Sequence, residues 1–286
     1  MAPKVAAVTM AYNESVLLPI WTRHYARQVG ADYCYVVDHG STDPVVLPPG
    51  MNIVRLPRSA HDDIRRAAFI ADLVAGLLRY YDWVLYTDVD ELVIADPNYF
   101  ADLPAFCATT GGRTISAIGL DIQHIPSLEP VLDPTKPIGA QRGWVRFTSA
   151  MCKPVLTRQV LQWAPGFHCC EHPLTFDRLY LFHLHWADLT LGLDRLDKTR
   201  DMPWAGDRAG GHQRLSDRTW HTLFQGMAEL PRNAAATLEP GTAPVKNWLA
   251  RTAKSAEERA GQAYTIDLAL NAAELWPIPP HFRARL

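Results

Sequence analysis

Residues 5–14 read VAAVTMAYNE, a short apolar run that ends in polar residues. Residues 33–43, YCYVVDHGSTD, and residues 83–91, WVLYTDVDE, repeat this pattern. Helix-like segments at residues 15–28 and 61–81 separate the three runs. Continuous apolar strands that alternate with helices indicate an α/β fold, in which a mostly parallel central sheet is flanked by helices.

The polar residues that end these strand-like runs predict a binding site. They are Tyr12-Asn13-Glu14, residues 38–43 and residues 88–91. In α/β sheets, ligands bind outside the carboxyl ends of the parallel strands. We therefore expect the three polar clusters to meet at one edge of the sheet and to form one site there.

The composition is that of an ordinary globular protein. Of 286 residues, 48% are hydrophobic and 20% are charged, which excludes a disordered chain and allows one large domain or two smaller ones. The net charge of −2, from 28 basic and 30 acidic residues, argues against a nucleic-acid-binding protein. No G-x-G-x-x-G follows the first strand and no G-x-x-x-x-G-K-S/T occurs, so dinucleotide and P-loop proteins lack their phosphate-binding loop here.

The sequence predicts a cytoplasmic protein without a transmembrane segment. No apolar run approaches 18 residues. The five cysteines are an odd number, and their spacing does not suggest a disulfide framework. Such cysteine usage favours a reducing compartment.

Asp88 and Asp90 form a candidate metal site. They lie two residues apart at a strand end, so both side chains of an extended chain face the same way. Mg²⁺ or Mn²⁺ binds one or two such carboxylates together with the phosphate oxygens of a substrate. The alternative is a strand end with solvated acids that contribute little to packing. The two other polar strand ends beside it favour the metal site.

A second cluster, His168-Cys169-Cys170-Glu171-His172, is followed by His183 and His185. One interpretation is a zinc site, although adjacent cysteines lack the spacing of paired zinc ligands. A second uses one histidine as a further ligand of the metal at Asp88 and Asp90, with Glu171 as a nearby acid or base. A third makes these histidines part of a buried strand. For the cluster as a whole, the sequence favours a functional role.

Basic residues and one tight turn supply further candidates. Arg65 and Arg66 open the long helix, and either guanidinium could hold a diphosphate or simply face solvent. The same alternatives apply to the basic residues of the middle segment, Arg142, Arg146, Lys153 and Arg158. Pro165-Gly166-Phe167 marks a turn at which the backbone could approach a ligand.

Taken together, VAAVTMAYNE, YVVDHGSTD and DWVLYTDVDEL resemble the three N-terminal motifs of glycosyltransferase family 2. The resemblance covers roughly residues 4–100, and the later segments CKPVLTR, WAPGFH and LYLFHLHWAD are similar to a bacterial subgroup. It implies a Rossmann-like GT-A fold and a nucleotide-diphosphate sugar donor, such as a UDP- or GDP-sugar. It also implies an inverting, metal-dependent transfer, with Mn²⁺ or Mg²⁺ as cofactor, of the kind used in polysaccharide biosynthesis.

The resemblance also implies roles for individual residues. The residues that would border the base and ribose are Ala11, Tyr12, Asn13 and Glu14, with Asp38 on the base itself and Arg65 or Arg66 near the nucleotide. Asp88 would face the ribose or the metal, and Asp90 would bind the metal with the diphosphate. The residues expected to complete the site are His183 or His185 at the metal, and Gly166 and Phe167 near the donor sugar.

The sequence departs from the family at the acceptor side. The usual Glu-Asp catalytic pair is not evident, so Glu171 is the first candidate for the base and His168 the second. The Q-x-x-R-W motif of processive synthases is missing, because Gln141-Arg142-Gly143-Trp144 has the wrong spacing. We therefore expect a non-processive enzyme whose acceptor is a glycan, a lipid-linked sugar or a small molecule. A lipid-linked acceptor would bring peripheral membrane contact.

The expected organisation is a GT-A catalytic domain at residues 1–235, followed by an accessory helical tail at 236–286. Residues 1–100 would be the nucleotide-binding half, and residues 101–235 would complete the metal and acceptor sites. A nucleotidyltransferase is an alternative, but it would carry a Gly-rich, Arg- or Lys-bearing signature where this chain reads MAYNE. A non-catalytic zinc- or sugar-binding module is the other alternative; it predicts tightly held zinc and no affinity for nucleotide diphosphates.

Overall fold

The first apolar run forms β1 (Val5–Ala11), the middle strand of the parallel half of the sheet. The computed structural model describes residues 2–206, 211–258 and 264–286. Strand β1 pairs in parallel with β2 (Cys34–Asp38) on one side and with β4 (Trp83–Tyr86), which lies much later in the sequence, on the other. At the edge, β3 (Asn52–Arg55) continues the parallel order beside β2. This confirms the α/β prediction with a largely parallel central sheet.

The second half of the chain adds strands of mixed direction to the same sheet. They are β5 (Glu91–Ala95), β6 (Thr114–Ile122), β7 (Trp144–Phe147), β8 (Pro154–Thr157), β9 (Phe176–His183) and β12 (Trp276–Pro277). The order is β3-β2-β1-β4-β8-β6-β7-β12, and β9 pairs in parallel with β6 and antiparallel with β5. A separate small ladder joins β10 (Glu257–Glu258) and β11 (Tyr264–Thr265). The strand-like pattern of residues 155–163 predicts a longer strand than β8, which ends at Thr157.

Helices flank the sheet, and α1 and α2 cover opposite faces of its parallel half. The helices are α1 (Leu17–Val29), α2 (Asp63–Leu77), α3 (Leu103–Cys107), α4 (Ile138–Gln141), α5 (Leu189–Asp201), α6 (Asp217–Ala228), α7 (Val245–Lys254) and α8 (Pro280–Arg283). Helix α1 buries Trp21 and Tyr25 in the larger apolar cluster, whereas α2 buries Ile70 and Val74 in the second cluster. Two apolar clusters on opposite faces are the pattern that a buried parallel sheet requires.

Local sequence explains where α2 begins. Asp62 lies in extended backbone, and its side chain accepts hydrogen bonds from the backbone N–H groups of Ile64 and Arg65. An aspartate in this position satisfies donors that the first turn leaves without helical partners. The helix therefore begins at Asp63, two residues later than the sequence predicts, and it carries Arg65 and Arg66 in its first turn.

The tail returns to the sheet. Trp276 of β12 pairs with Val145 of β7, and Phe282 of α8 packs against Tyr180 and Phe182 of β9. The Ala-rich residues 246–260 have an amphipathic pattern in the sequence. Helix α7 covers the first part of this stretch, Glu257 and Glu258 form β10, and residues 259 and 260 lie outside the described residues. The division of the chain at residue 235 stays a prediction. In the described ranges, every helix falls short of the length and apolar character needed to cross a bilayer.

Candidate active site

The three polar strand ends are connected through side chains. Asn13, after β1, donates its backbone N–H to Ser41 Oγ at 3.0 Å, and its side-chain oxygen accepts from Thr42 N at 2.9 Å. These bonds join the first cluster to the second. Arg195 of α5 joins the first to the third, because its guanidinium lies 3.5 Å from Glu14 and donates to Asp90. The clusters thus meet at one edge of the sheet.

Asp90, His183 and His185 form a group with converging metal-ligand atoms. One ligand atom from each lies within 4.8 Å of the others. Nε2 of His183 lies 3.4 Å from Oδ2 of Asp90, and the two imidazole rings stack with centroids 5.4 Å apart. Strand pairing creates this proximity, because His183 ends β9 beside β5, whose first residue follows Asp90 directly. A carboxylate and two imidazoles are donors that divalent transition metals accept.

The titration behaviour of this group follows from its charges. Burial disfavours the imidazolium of His183, but Asp90 and Asp121 outweigh burial and raise its pKa to about 10. Burial, the His183 charge and Arg195 lower the pKa of His185 to about 3. Burial opposes the ionised form of Asp90, yet Arg195 and His183 hold its pKa well below the usual range. His185 is therefore a neutral donor at pH 7, and a metal would displace a proton from His183.

Asp90 is not the solvated strand-end acid of the sequence-based alternative. Its side chain is 8% exposed and is held between Arg195 and His183. The backbone carbonyl of Asp90 also accepts a hydrogen bond from Leu184 N at 2.8 Å. The expectation that this acid contributes little to packing is therefore wrong, because its removal would leave buried positive charge without a partner.

Asp88 faces a different set of partners. Arg66 donates to Oδ1, Tyr86 Oη donates to the same oxygen at 3.2 Å, and Lys153 Nζ lies 3.2 Å from Oδ2. Lys153 also donates to Glu91 at 2.6 Å. Burial would raise the pKa of Asp88, but Arg66 and Lys153 lower it further than burial raises it. Asp88 lies outside the converging ligand group, and its place at the metal stays a prediction.

The expected nucleotide-binding residues lie beside this cluster. Ala11 ends β1 directly opposite Asp38 of β2. The guanidinium of Arg58 stacks on the ring of Tyr12, 3.6 Å from its centroid. Asp38 is fully buried, and its Oδ1 accepts from Ser41 N at 2.8 Å. Oδ2 has no hydrogen-bond partner among the described residues, although the Arg55 guanidinium lies 3.6 Å from it.

Arg65 and Arg66 line a cavity at the ends of β1 to β3. Its wall also includes Met10, His39, Leu56, Pro57, Ser59, Ala60, His61, Asp62 and Phe69. Arg66 extends from the wall of this cavity to Asp88, so the cavity lies next to Asp88 and its partners. A ligand could place a ring in the cavity and an anionic group beside Arg66.

The turn at Gly166 and Phe167 packs under α2. Gly166 has φ +81°, and a Cβ there would lie 2.9 Å from the His168 ring. Phe167, with φ 62°, is buried against Tyr86 with ring centroids 4.3 Å apart, and Arg66 lies over its ring. The Phe167 ring of this turn therefore packs against the Arg66 guanidinium and helps to hold it in place. Its contact with a donor sugar stays a prediction.

The two candidate bases interact with nearby backbone. Glu171 Oε2 accepts from Gln162 N at 2.7 Å, and its other oxygen lies 3.8 Å from His172. His168 Nδ1 lies 2.7 Å from the carbonyl oxygen of Ala150. Glu171 is 30% exposed, so an acceptor could reach it. Neither assignment as the base is tested by this arrangement.

Sequence reasoning missed three residues of the site: Asp121, Arg195 and Lys198. Asp121 was recognisable, because it is the single charged residue in the otherwise uncharged strand β6. Arg195 and Lys198 lie three residues apart on α5, so they share a helix face. Lys198 pairs with Glu14 and approaches the carbonyl oxygens of Tyr12 and Asn13 at 3.4 and 3.3 Å.

Comparison with known proteins adds little to this geometry. No protein-family model matches the chain, and no curated protein matches it. Among solved structures, it is similar to the mannosyltransferase PcManGT from Pyrobaculum calidifontis in complex with GDP-Man and Mn²⁺, with 17% sequence identity and a TM-score of 0.25. The match covers 43% of this chain and 36% of that one. This likeness is too low to establish a shared fold.

Proposed function

We propose that this protein is a glycosyltransferase of family 2 with a GT-A fold. It moves a sugar from a nucleotide-diphosphate donor to an acceptor hydroxyl, with inversion and without processivity. The observation that carries the proposal is the convergence of Asp90, His183 and His185 beside the Asp88–Arg66–Lys153 cluster. Such a site, at the carboxyl ends of parallel strands, suits a ligand that carries both a metal-bound diphosphate and a ring.

The metal site favours Mn²⁺ over Mg²⁺. Asp90, His183 and His185 supply one oxygen and two nitrogen donors, and Mg²⁺ prefers oxygen ligands. When bound, a divalent cation neutralises the charge that develops on a leaving diphosphate. Asp121 supports this role, because it orients the His183 ring through Nδ1.

Protein cations would hold the remaining diphosphate oxygens. Arg66, which is partly buried, and Lys153, which is buried, lie beside Asp88 and can form charge-assisted hydrogen bonds with an anion. The ring of the nucleotide would enter the cavity next to Arg65. Oδ2 of Asp38, which lacks a hydrogen-bond partner among the described residues, could accept an N–H from the base.

The acceptor proton needs a base within hydrogen-bond reach. Glu171 is the first candidate because its carboxylate is partly exposed, and His168 is the second. One displacement at the anomeric carbon, through an oxocarbenium-like state, inverts the configuration. The acceptor class remains a glycan, a lipid-linked sugar or a small molecule.

The test is calorimetric titration of the full chain with UDP and with GDP, first with Mn²⁺ and then with EDTA. We expect micromolar binding of one nucleotide that requires the metal. Asp90→Asn should abolish this binding, whereas Asp72→Asn, at an exposed position of α2, should not. Because Asp90 is buried, its variant must first be shown to be folded by thermal melting.

Two results would overturn the proposal in favour of its alternatives. If neither nucleotide binds and the purified protein retains zinc, the chain is a zinc-binding module. If it forms a nucleotide sugar from a nucleoside triphosphate and a sugar phosphate, with release of pyrophosphate, it is a nucleotidyltransferase.

A further inference from the structure

One carboxylate oxygen of Asp90 has two positively charged neighbours. Arg195 donates a hydrogen bond to Oδ2, and His183 Nε2 lies 3.4 Å from the same oxygen. Asp90 and His183 would both hold a divalent metal, which would place additional positive charge beside the guanidinium of Arg195. Like charges this close repel strongly in a buried site.

Arg195 has another partner within reach. Its guanidinium lies 3.5 Å from Glu14 Oε1, and its buried Nε has no hydrogen-bond partner among the described residues. Helix α5 itself is held in place: Asp188 caps its first turn, Leu196 is buried, and Gly192 lies against the Trp220 ring. The side chain can therefore leave Asp90 while the helix backbone stays where it is.

The charges of the site balance without a metal. The carboxylates Glu14, Asp88, Asp90 and Glu91 pair with Arg66, Lys153, Arg195 and Lys198. The same network adds Asp63 and Asp121 on the acidic side and His183 and Arg146 on the basic side. A divalent cation that displaces the Nε2 proton of His183 adds one net positive charge to this set. Release of Arg195 from Asp90 relieves the excess, and an incoming anion such as a diphosphate gives the guanidinium a new partner.

We propose that Arg195 is a mobile counter-ion that pairs with Asp90 in the metal-free protein and that the metal displaces it toward Glu14 and the bound diphosphate. The competition between Arg195 and the metal for Asp90 is inferred from the geometry alone. The diphosphate contact rests on the proposed function. Arg195 is thus a residue that couples metal binding to donor binding from outside the ligand set.

The first experiment measures Mn²⁺ alone, by electron paramagnetic resonance, on the full chain without nucleotide. We expect Arg195→Gln to bind Mn²⁺ about tenfold more tightly than the wild type, the scale of a typical coupling between two ligands. The matched control is Lys198→Gln, because Lys198 pairs with Glu14 and forms no hydrogen bond or ion pair with Asp90 in the described part of the chain. Its affinity should stay within about threefold of the wild type.

Two results would contradict the proposed competition between Arg195 and the metal. One is that Arg195→Gln binds Mn²⁺ no more tightly than the wild type. The other is an equal gain in both variants, which would indicate a general effect of lost positive charge. A melting series guards against misfolding: Mn²⁺ should raise the melting temperature more in Arg195→Gln than in the wild type. If that variant does not fold, Arg195→Lys, which keeps the charge but loses the planar fork, should show a smaller gain in affinity.

A second experiment separates the two halves of the proposal. With saturating Mn²⁺, Arg195→Gln should bind UDP or GDP about tenfold more weakly than the wild type. Unchanged nucleotide affinity would overturn the diphosphate contact and leave the competition intact. If the wild type binds Mn²⁺ but neither nucleotide, the proposed function fails, while the Mn²⁺ comparison still decides the competition.

Discussion

His183 Nδ1 lies 2.9 Å from Oδ1 of Asp121, across the parallel pair β9 and β6. An ionised carboxylate can only accept a hydrogen bond, so Nδ1 carries the proton of this contact. Nε2 then faces Oδ2 of Asp90. A carboxylate behind a histidine is the usual support of a metal-ligating imidazole, because it fixes the ring and its tautomer.

Asp121→Asn should weaken metal binding while the fold persists. The amide keeps the size of the carboxylate but loses the charge that orients His183. Loss of such a supporting group typically lowers metal affinity by about 10- to 100-fold. Calorimetry with Mn²⁺ measures this change, with Asp72→Asn as the exposed control. Unaltered affinity would show that Asp121 serves the strand pairing and its ion pair with Arg146 instead.

His183→Asn and His185→Asn should both lose Mn²⁺ affinity, because both imidazoles belong to the converging group. His185→Asn should also lower the melting temperature, since its ring packs edge-on against Trp220 with centroids 4.6 Å apart. Mn²⁺ titration and melting in EDTA separate the two effects. A variant that loses only melting temperature would identify its histidine as a packing residue.

Lys153→Met should destabilise the fold strongly. Lys153 is 4% exposed and lies 2.6 Å from Glu91, which is 1% exposed. Breaking a buried ion pair from one side costs about 3–5 kcal/mol, because the other charge is left unpaired. The double variant Lys153→Met/Glu91→Gln should recover more than half of that loss. Urea unfolding of the single and double variants measures the coupling, and additive losses would contradict it.

His24 should make stability depend on pH. It is buried in α1 with Nε2 3.0 Å from the Val93 carbonyl oxygen, and burial lowers its pKa from 6.5 to about 4. Between these values the unfolded chain binds the proton and the folded chain does not. The contribution of His24 to the free energy of unfolding is therefore fully present above pH 6.5. It declines by about 3 kcal/mol as the pH falls to 4.

His24→Gln isolates this contribution from those of other groups. Urea unfolding of the wild type and the variant at several pH values between 4 and 6.5 gives the two slopes. The wild type should lose stability more steeply than the variant as the pH falls. Parallel slopes would mean that His24 does not carry the dependence.

Local pattern determined the parallel half of the fold. The apolar runs before Asn13, Asp38 and Asp88 form β1, β2 and β4 because a strand buried on both faces needs a continuous apolar segment, and such a segment is readable in a short window. The same pattern places polar residues at the strand ends, where they meet. Residue type and spacing point to Asp90 as a metal ligand, whereas only the family resemblance names His183 or His185 as its partner.

Only the tertiary structure decided which charges pair. Arg195 lies 105 residues from Asp90 in sequence, and Asp121 lies 62 from His183. Their contacts depend on the placement of β9 between β5 and β6 and of α5 beside Glu14, in the loop after β1. A local pattern identifies a charged residue but not the distant residue with which it pairs. The pairing depends on strand order and register, which the long-range packing of the folded chain determines.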